Sequence, residues 1–264
     1  MDSSLSNKIH KRISIGELQL ILSPSTINAI RRCPFSWDCS YRGEKGISVE
    51  FKAQDIGSLV HSIIADYYRS FAQKPKDNEV LALVKRIASR HITPDFKPSK
   101  KTIEDLLNNF IKFEIKRLHT YQDPVPTLIE TYLDHKKMIG GKIDVYFKSD
   151  KITIDWKTGN SFDINLDMTL QGGVYKLVLN SNNYDCSKLF FVLLKSGRVL
   201  ELPRVTEGFI MEEARRANEI IISGIFKPHA GVQCKYCAYI LACPLMGYGG
   251  VKLWDLNAIS VVNQ

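Results

Sequence analysis

The stretch Gly140-Gly141-Lys142-Ile143-Asp144-Val145-Tyr146-Phe147, followed after four residues by Ile152-Thr153-Ile154-Asp155-Trp156-Lys157-Thr158-Gly159, decides how this chain is read. Both runs alternate apolar side chains, and the short Lys148–Lys151 link between them predicts two antiparallel strands joined by a tight hairpin. Side chains two apart on a strand leave the same face. Asp155 and Lys157 therefore share one face, and Ile152, Ile154 and Trp156 share the other. The hairpin brings Asp144 beside Asp155. Charge placed among apolar neighbours is costly unless it is paired or has a task.

Two converging carboxylates suit a hard cation such as Mg²⁺ or Mn²⁺. A lysine beside them can position or deprotonate an attacking water and stabilise charge developing on a phosphate, which points to metal-dependent phosphodiester hydrolysis. Taken alone, Asp-x-Lys is a weak signal, since an isolated Asp/Lys pair on a strand is more often a solvated ion pair. The following segment, Asp167–Leu179, spaces Leu170, Val174, Leu177 and Val178 as a helix. It carries Gln171 and Tyr175 at i and i+4, an amide and a phenol able to link a catalytic strand to a nucleic-acid backbone. Upstream, Gly57–Tyr68 reads as a helix interrupted by His61, either a hydrogen-bonded core histidine or a ligand.

Asp144, Asp155-Trp156-Lys157 and Gln171-x-x-x-Tyr175, with His61 far upstream, together resemble the RecB-type branch of the PD-(D/E)xK nucleases. The resemblance implies an α/β, restriction-endonuclease-like core in which a central mixed sheet is flanked by helices. It also implies that His61, Asp144 and Asp155 bind Mg²⁺ or Mn²⁺, that Lys157 is catalytic, and that Gln171 and Tyr175 flank the site. Glu130, on the strand expected at Thr127–Leu133, is either a further acidic residue of that site or an exposed strand glutamate.

Cys234-Lys235-Tyr236-Cys237, with Cys243 six residues on, forms a C-x2-C-x5-C cluster that reads as one metal site rather than disulfide partners. From chemistry alone, zinc and an iron–sulfur cluster fit equally. RecB-type nucleases with a 4Fe–4S cluster place one cysteine, in a Cys-Pro context, before the nuclease core and three after it. Cys33-Pro34 resembles the first element, and Cys234, Cys237 and Cys243 the second, with Cys39 the rival for the first position. Cys186 reads as an ordinary buried thiol. A cluster closing so long a loop implies a structural role, with its binding free energy contributing to folding.

The 264 residues, 44% of them hydrophobic, suffice for one substantial core with an accessory subdomain. A formal charge of +8 favours a polyanionic partner, and the cations cluster at Lys8, Lys11 and Arg12, at Arg31-Arg32, at Lys97, Lys100 and Lys101, and at Lys136-Lys137 before a Gly140-Gly141 turn. Arg31 and Arg32, beside Cys33, are candidates for guiding a DNA strand, while Phe35, Trp37 and Tyr41 read as packing. The cysteine usage, with no secretory apolar region and no membrane-length run, leads us to expect a cytoplasmic protein. No Gly-x-x-x-x-Gly-Lys-Ser/Thr element is present, which argues against a fused helicase.

The expected organisation is a polar basic lead-in (1–22), the N-terminal part of an iron–sulfur lobe (23–56), a helical wall (57–122) with a capping box at Thr102 and Asp105, the nuclease core (123–225), and the cysteine cluster with a tail (226–264). Over residues 23–245 the chain is most similar to the CRISPR-associated exonucleases. That likeness implies action on single-stranded DNA or DNA ends during spacer acquisition, with CRISPR integration proteins as partners. Other outcomes are a replication, recombination or viral single-strand exonuclease, and a non-catalytic module that binds DNA or a partner.

Overall fold

A computed structural model describes residues 21–46, 52–93, 99–159 and 163–246. The lead-in through residue 20, Lys97 and the tail beyond residue 246 lie outside these. The chain divides into two compact units, Glu50–Glu207 and a second made of Met1–Val49 with Gly208–Gln264.

The larger unit is a five-stranded mixed sheet, β1 (Leu128–His135), β2 (Ile139–Phe147), β3 (Ile152–Lys157), β4 (Lys188–Leu193) and β5 (Arg198–Glu201), in that spatial order. All neighbours are antiparallel except β3 and β4, where Asp155 pairs with Phe191 and Trp156 with Val192 in parallel register. A parallel pair needs a crossover, which α6 (Leu166–Ser181) supplies. Its start is fixed by Asn165, whose side chain accepts the Met168 N–H at 2.9 Å. The turn into β5 uses Gly197 at φ 71°, and β5 stops two residues before Pro203, which cannot donate to a ladder.

Three helices, α3 (Lys52–Arg69), α4 (Asp77–His91) and α5 (Lys100–Thr120), share one apolar core with Val145, Phe147, Ile152, Ile154, Trp156 and Val192 of the sheet. Trp156 is 2% exposed and meets Phe110 and Phe113 edge-on, with ring centroids 5.3 and 5.5 Å away. Truncating a large aromatic in such a place costs about 3–5 kcal/mol. The same layer buries an ion pair. Arg117 reaches both carboxylate oxygens of Glu114 at 2.7 and 2.8 Å, and its remaining donors hold the Asp123 and Pro124 carbonyls. Tyr67 and Tyr68 donate to the same carboxylate, so each buried charge is satisfied.

Several expectations are corrected here. The capping box at Thr102 and Asp105 does not form, because α5 already begins at Lys100 and Thr102 lies inside its first turn. The turn before β2 is Lys136–Met138, with Lys136 and Lys137 at φ 52° and 55°. Gly140 and Gly141 are instead buried strand residues. A Cβ on Gly141 would sit 2.9 Å from Cε1 of Tyr175, so the missing side chain is what lets α6 approach β2.

The smaller unit contains α1 (Pro24–Arg32), α2 (Pro34–Tyr41), α7 (Glu207–Ser223, all but its first residue) and two short 3₁₀ turns, Val232–Tyr236 and Ile240–Ala242. Ser23 caps α1 by accepting the Thr26 N–H at 3.1 Å. Cys33 is extended (φ −167°, ψ 104°) and ends α1, and Pro34 starts α2 as its first residue, a position where proline's missing N–H costs nothing. The expected boundaries change accordingly: residues 57–122 share one core with the sheet, α7 groups with the cysteine segments, and Leu22 is 3% exposed rather than part of a solvated lead-in. Trp37 packs between Tyr41 and Phe226.

Candidate active site

β3 obeys strict alternation. Ile152, Ile154 and Trp156 enter the core beneath α3–α5, while Asp155 and Lys157 turn to α6 and meet Gln171. Strand β2 does not. Gly141 lies against Tyr175 and Val174 of α6, yet Val145 and Phe147, of the same parity, belong to the core beneath α3–α5. The β1–β2 ribbon thus turns its faces over between them, at the level of Asp144 and the position facing it, Glu130. Glu130 has φ 49°, a left-handed conformation unusual for a strand glutamate and typical of strain held at a functional site.

The β2–β3 pairing runs from Phe147–Ile152 to Val145–Ile154. Just beyond it, both backbone groups of Trp156 are taken by side chains: its N–H donates to Asp144 Oδ2 at 3.0 Å, and its carbonyl accepts from His61 Nε2 at 3.0 Å. The carbonyl fixes the imidazole, since Nε2 must carry the proton donated to it. The other nitrogen, Nδ1, is thereby aimed at Asp144 Oδ2 (3.4 Å) and Glu130 Oε1 (3.7 Å). Among the described residues, His61, Glu130 and Asp144 form the one group of three such side chains whose ligand atoms lie within 4.8 Å of one another.

Electrostatics follow from this crowding. Burial opposes a charge on His61, but hydrogen bonds to Asp144 and Glu130 outweigh it and lift its pKa to about 10. Burial would also raise Glu130, yet His61 and Lys142 hold its carboxyl below the ordinary value. For Asp155 burial dominates: together with repulsion from Asp144, it raises the carboxyl despite the opposing Lys157 ammonium. Asp155 Oδ2 lies 2.7 Å from Lys157 Nζ but makes no well-aligned hydrogen bond. The imidazole nitrogen of His61 and the carboxylates of Glu130 and Asp144 form a donor set that fits a hard divalent cation, and Asp155, with its Oδ2 facing the Lys157 ammonium, stands beside that group rather than in it.

Gln171 ties the other half of the site together. Its Oε1 accepts from Lys157 Nζ at 2.6 Å, and its Nε2 donates to Asp155 Oδ1 (3.0 Å) and Tyr175 Oη (2.7 Å). These bonds link β3 to α6, and Tyr175 is 6% exposed. Lys157 keeps 23% of its side chain accessible, so its ammonium is oriented yet reachable.

The structure brings together His61, Asp144, Asp155, Lys157, Gln171 and Tyr175. It adds Glu130, whose place depends on the ribbon turning over. Cys33, Cys234, Cys237 and Cys243 fall in the smaller unit. There the His229 N–H points to Cys33 Sγ at 3.4 Å, Cys237 Sγ lies 3.8 Å from Ser36 Oγ, and Phe35 packs on the Cys234–Cys243 cluster. Cys39 is wholly buried, with its thiol pushed up to about 12 by burial. Cys186 is likewise buried, with its Sγ directed at the Lys188 carbonyl. Arg32 is exposed and Arg31 half-buried. No helix among the described residues is long and apolar enough to cross a membrane.

The sequence profile of the PD-(D/E)XK nuclease superfamily matches residues 21–244. Among solved structures, the chain is similar to SSO0001 (16% identity, TM-score 0.40, covering 88% of this chain and 89% of that one). It is also similar to a protein from Eubacterium rectale named as a candidate exonuclease (13% identity, TM-score 0.49, covering 94% and 97%). No curated protein matches.

Proposed function

Because the chain belongs to the PD-(D/E)XK nuclease superfamily, we propose that it is a metal-dependent deoxyribonuclease acting on single-stranded DNA or DNA ends. The observation that carries this is the joining, at one strand divergence, of the His61, Glu130 and Asp144 ligand group to the Asp155–Lys157–Gln171 chain. His61, Glu130 and Asp144 would hold Mg²⁺ or Mn²⁺, with Asp155 beside them. When bound, the ion supplies Lewis-acid polarisation of the phosphate and lowers the pKa of water. Lys157, steered by Gln171, orients the attacking water and offsets charge growing on the phosphoryl oxygens. Tyr175 stays a neutral phenol, since burial and then Asp155 and Asp144 raise its pKa well above the ordinary value.

A 4Fe–4S cluster on Cys33, Cys234, Cys237 and Cys243 belongs to the same proposal. Support comes from the approach of Cys33 to His229, five residues before Cys234, and of Ser36 to Cys237. The resemblance to the CRISPR-associated exonucleases favours a role in spacer acquisition, with integration proteins as partners, over replication or recombination. Arg31 and Arg32 are proposed DNA contacts. A non-catalytic module is disfavoured by the Lys157–Gln171 steering bond, which a binder would not need. The test is end-labelled single- and double-stranded DNA with Mn²⁺, Mg²⁺ or chelator. Metal-dependent nucleotide release from single strands is expected, and no product from any DNA end or flap would return the chain to the binding module.

A further inference from the structure

Lys142 is the exposed residue in an otherwise buried strand, with 60% of its side chain accessible. Its ammonium nevertheless pairs with Glu130 Oε2, while Glu130 Oε1 faces His61 Nδ1. A long, mobile lysine thus sits on a carboxylate of the ligand group, where a divalent ion would compete with it. Lys157 differs: it is held by both Asp155 and Gln171 and has little freedom to leave. The Glu130 end of the pair is only 15% accessible, whereas the lysine end is 60% accessible, so the ammonium can exchange its partner for another anion from the solvent side.

Building on the nuclease reading above, we propose that Lys142 is a phosphate-binding residue that divalent metal releases from Glu130, so that metal loading delivers a second cation to the nucleic-acid backbone at the mouth of the site. The chemistry is one of exchange. A divalent ion shared with Glu130 Oε1 would draw off part of the carboxylate's charge and repel the ammonium on Oε2, so the Lys142 contact would loosen. The nearest anion that restores its charge-assisted hydrogen bonds is a backbone phosphate. A lysine offers a point charge there, with no base to read, so the contact is independent of sequence.

Two readouts other than cleavage test this. In the absence of DNA, Lys142→Met removes the cation held against Glu130, and calorimetric titration with Mn²⁺ should give an affinity higher by about 2–5-fold, the order of a partly screened charge interaction. For DNA, the full-length protein is titrated with a mixed-sequence single-stranded oligonucleotide at several salt concentrations, with Ca²⁺ in place of the catalytic ion or with chelator. With Ca²⁺, Lys142→Met should lower the salt slope by about 1, one phosphate contact, and Lys142→Arg should retain it. With chelator the variants and wild type should coincide, because Lys142 is then held by Glu130. An unchanged slope in Ca²⁺, an equal loss with and without Ca²⁺, or unaltered Mn²⁺ affinity would each overturn the proposal while leaving the nuclease reading intact. Failure of the wild type to bind or cut DNA would instead remove that reading.

Discussion

The carboxylate of Asp144 stands in for a strand: its Oδ2 accepts the Trp156 N–H at 3.0 Å where β2 would otherwise have supplied a carbonyl. One side chain thus satisfies a backbone donor next to the 2%-exposed Trp156 and also presents an oxygen to His61. Structure and proposed metal binding are joined in one group. Orphaning a buried N–H costs about 1–3 kcal/mol. Asp144→Ala should therefore lower the stability of the metal-free protein by about that much, and Asp144→Asn, which keeps an acceptor oxygen, by clearly less. Both should lose Mn²⁺ binding. Equal melting temperatures for the two variants would contradict the acceptor role.

Lys157→Ala and Asp155→Ala should each abolish detectable cleavage while DNA binding in Ca²⁺ persists. Gln171 is a positioning residue, because its bonds run to Lys157, Asp155 and Tyr175. Gln171→Leu should reduce kcat by about 10²-fold with little change in KM, the pattern of an interaction that matters in the transition state. A rise in KM at constant kcat would mean that the amide binds substrate instead.

Gly141→Ala should be destabilising although alanine is the smallest change available. The new Cβ would lie 2.9 and 3.0 Å from two ring carbons of Tyr175, and overpacking of this kind costs about 1–3 kcal/mol. Pairing it with Tyr175→Leu should recover part of the loss in chemical denaturation. Simple additivity of the two would show that the ring does not enforce the glycine.

Which parts of this architecture are legible in the sequence depends on how local their cause is. The β3 alternation and the α6 face carrying Gln171 and Tyr175 follow from spacing alone, and both are seen in the structure. Glu130 is ambiguous in the sequence because its membership depends on a face reversal in the β1–β2 ribbon and a left-handed φ, neither of which has a residue signature. The Lys136–Met138 turn is hidden for the same reason, since two lysines occupy positive φ where Asn or Gly would announce a turn. The α2 helix starts at Pro34 directly after the extended Cys33, a place where proline initiates rather than breaks a helix.

The cysteines separate into two chemical classes that one labelling experiment can distinguish. Burial pushes the Cys39 thiol up to about 12 and the Cys186 thiol up to about 11, so at pH 8 both remain protonated and shielded. Protein purified without oxygen should be brown and bleach on reduction if Cys33, Cys234, Cys237 and Cys243 ligate iron and sulfide. In that state alkylation at pH 8 should modify none of the six cysteines rapidly. Chelation of the iron should then release the four ligand thiols, the half-buried Cys33 and Cys237 labelling first and the more buried Cys234 and Cys243 after them, identified by mass spectrometry, while Cys39 and Cys186 stay unlabelled until the fold is denatured. Replacing Cys33 should cost colour and soluble yield, and Cys186→Ser should cost neither. Colourless protein with one equivalent of zinc would reject the cluster. Fast labelling of Cys39 on iron removal, with Cys33 protected, would mean that Cys39 is the fourth ligand.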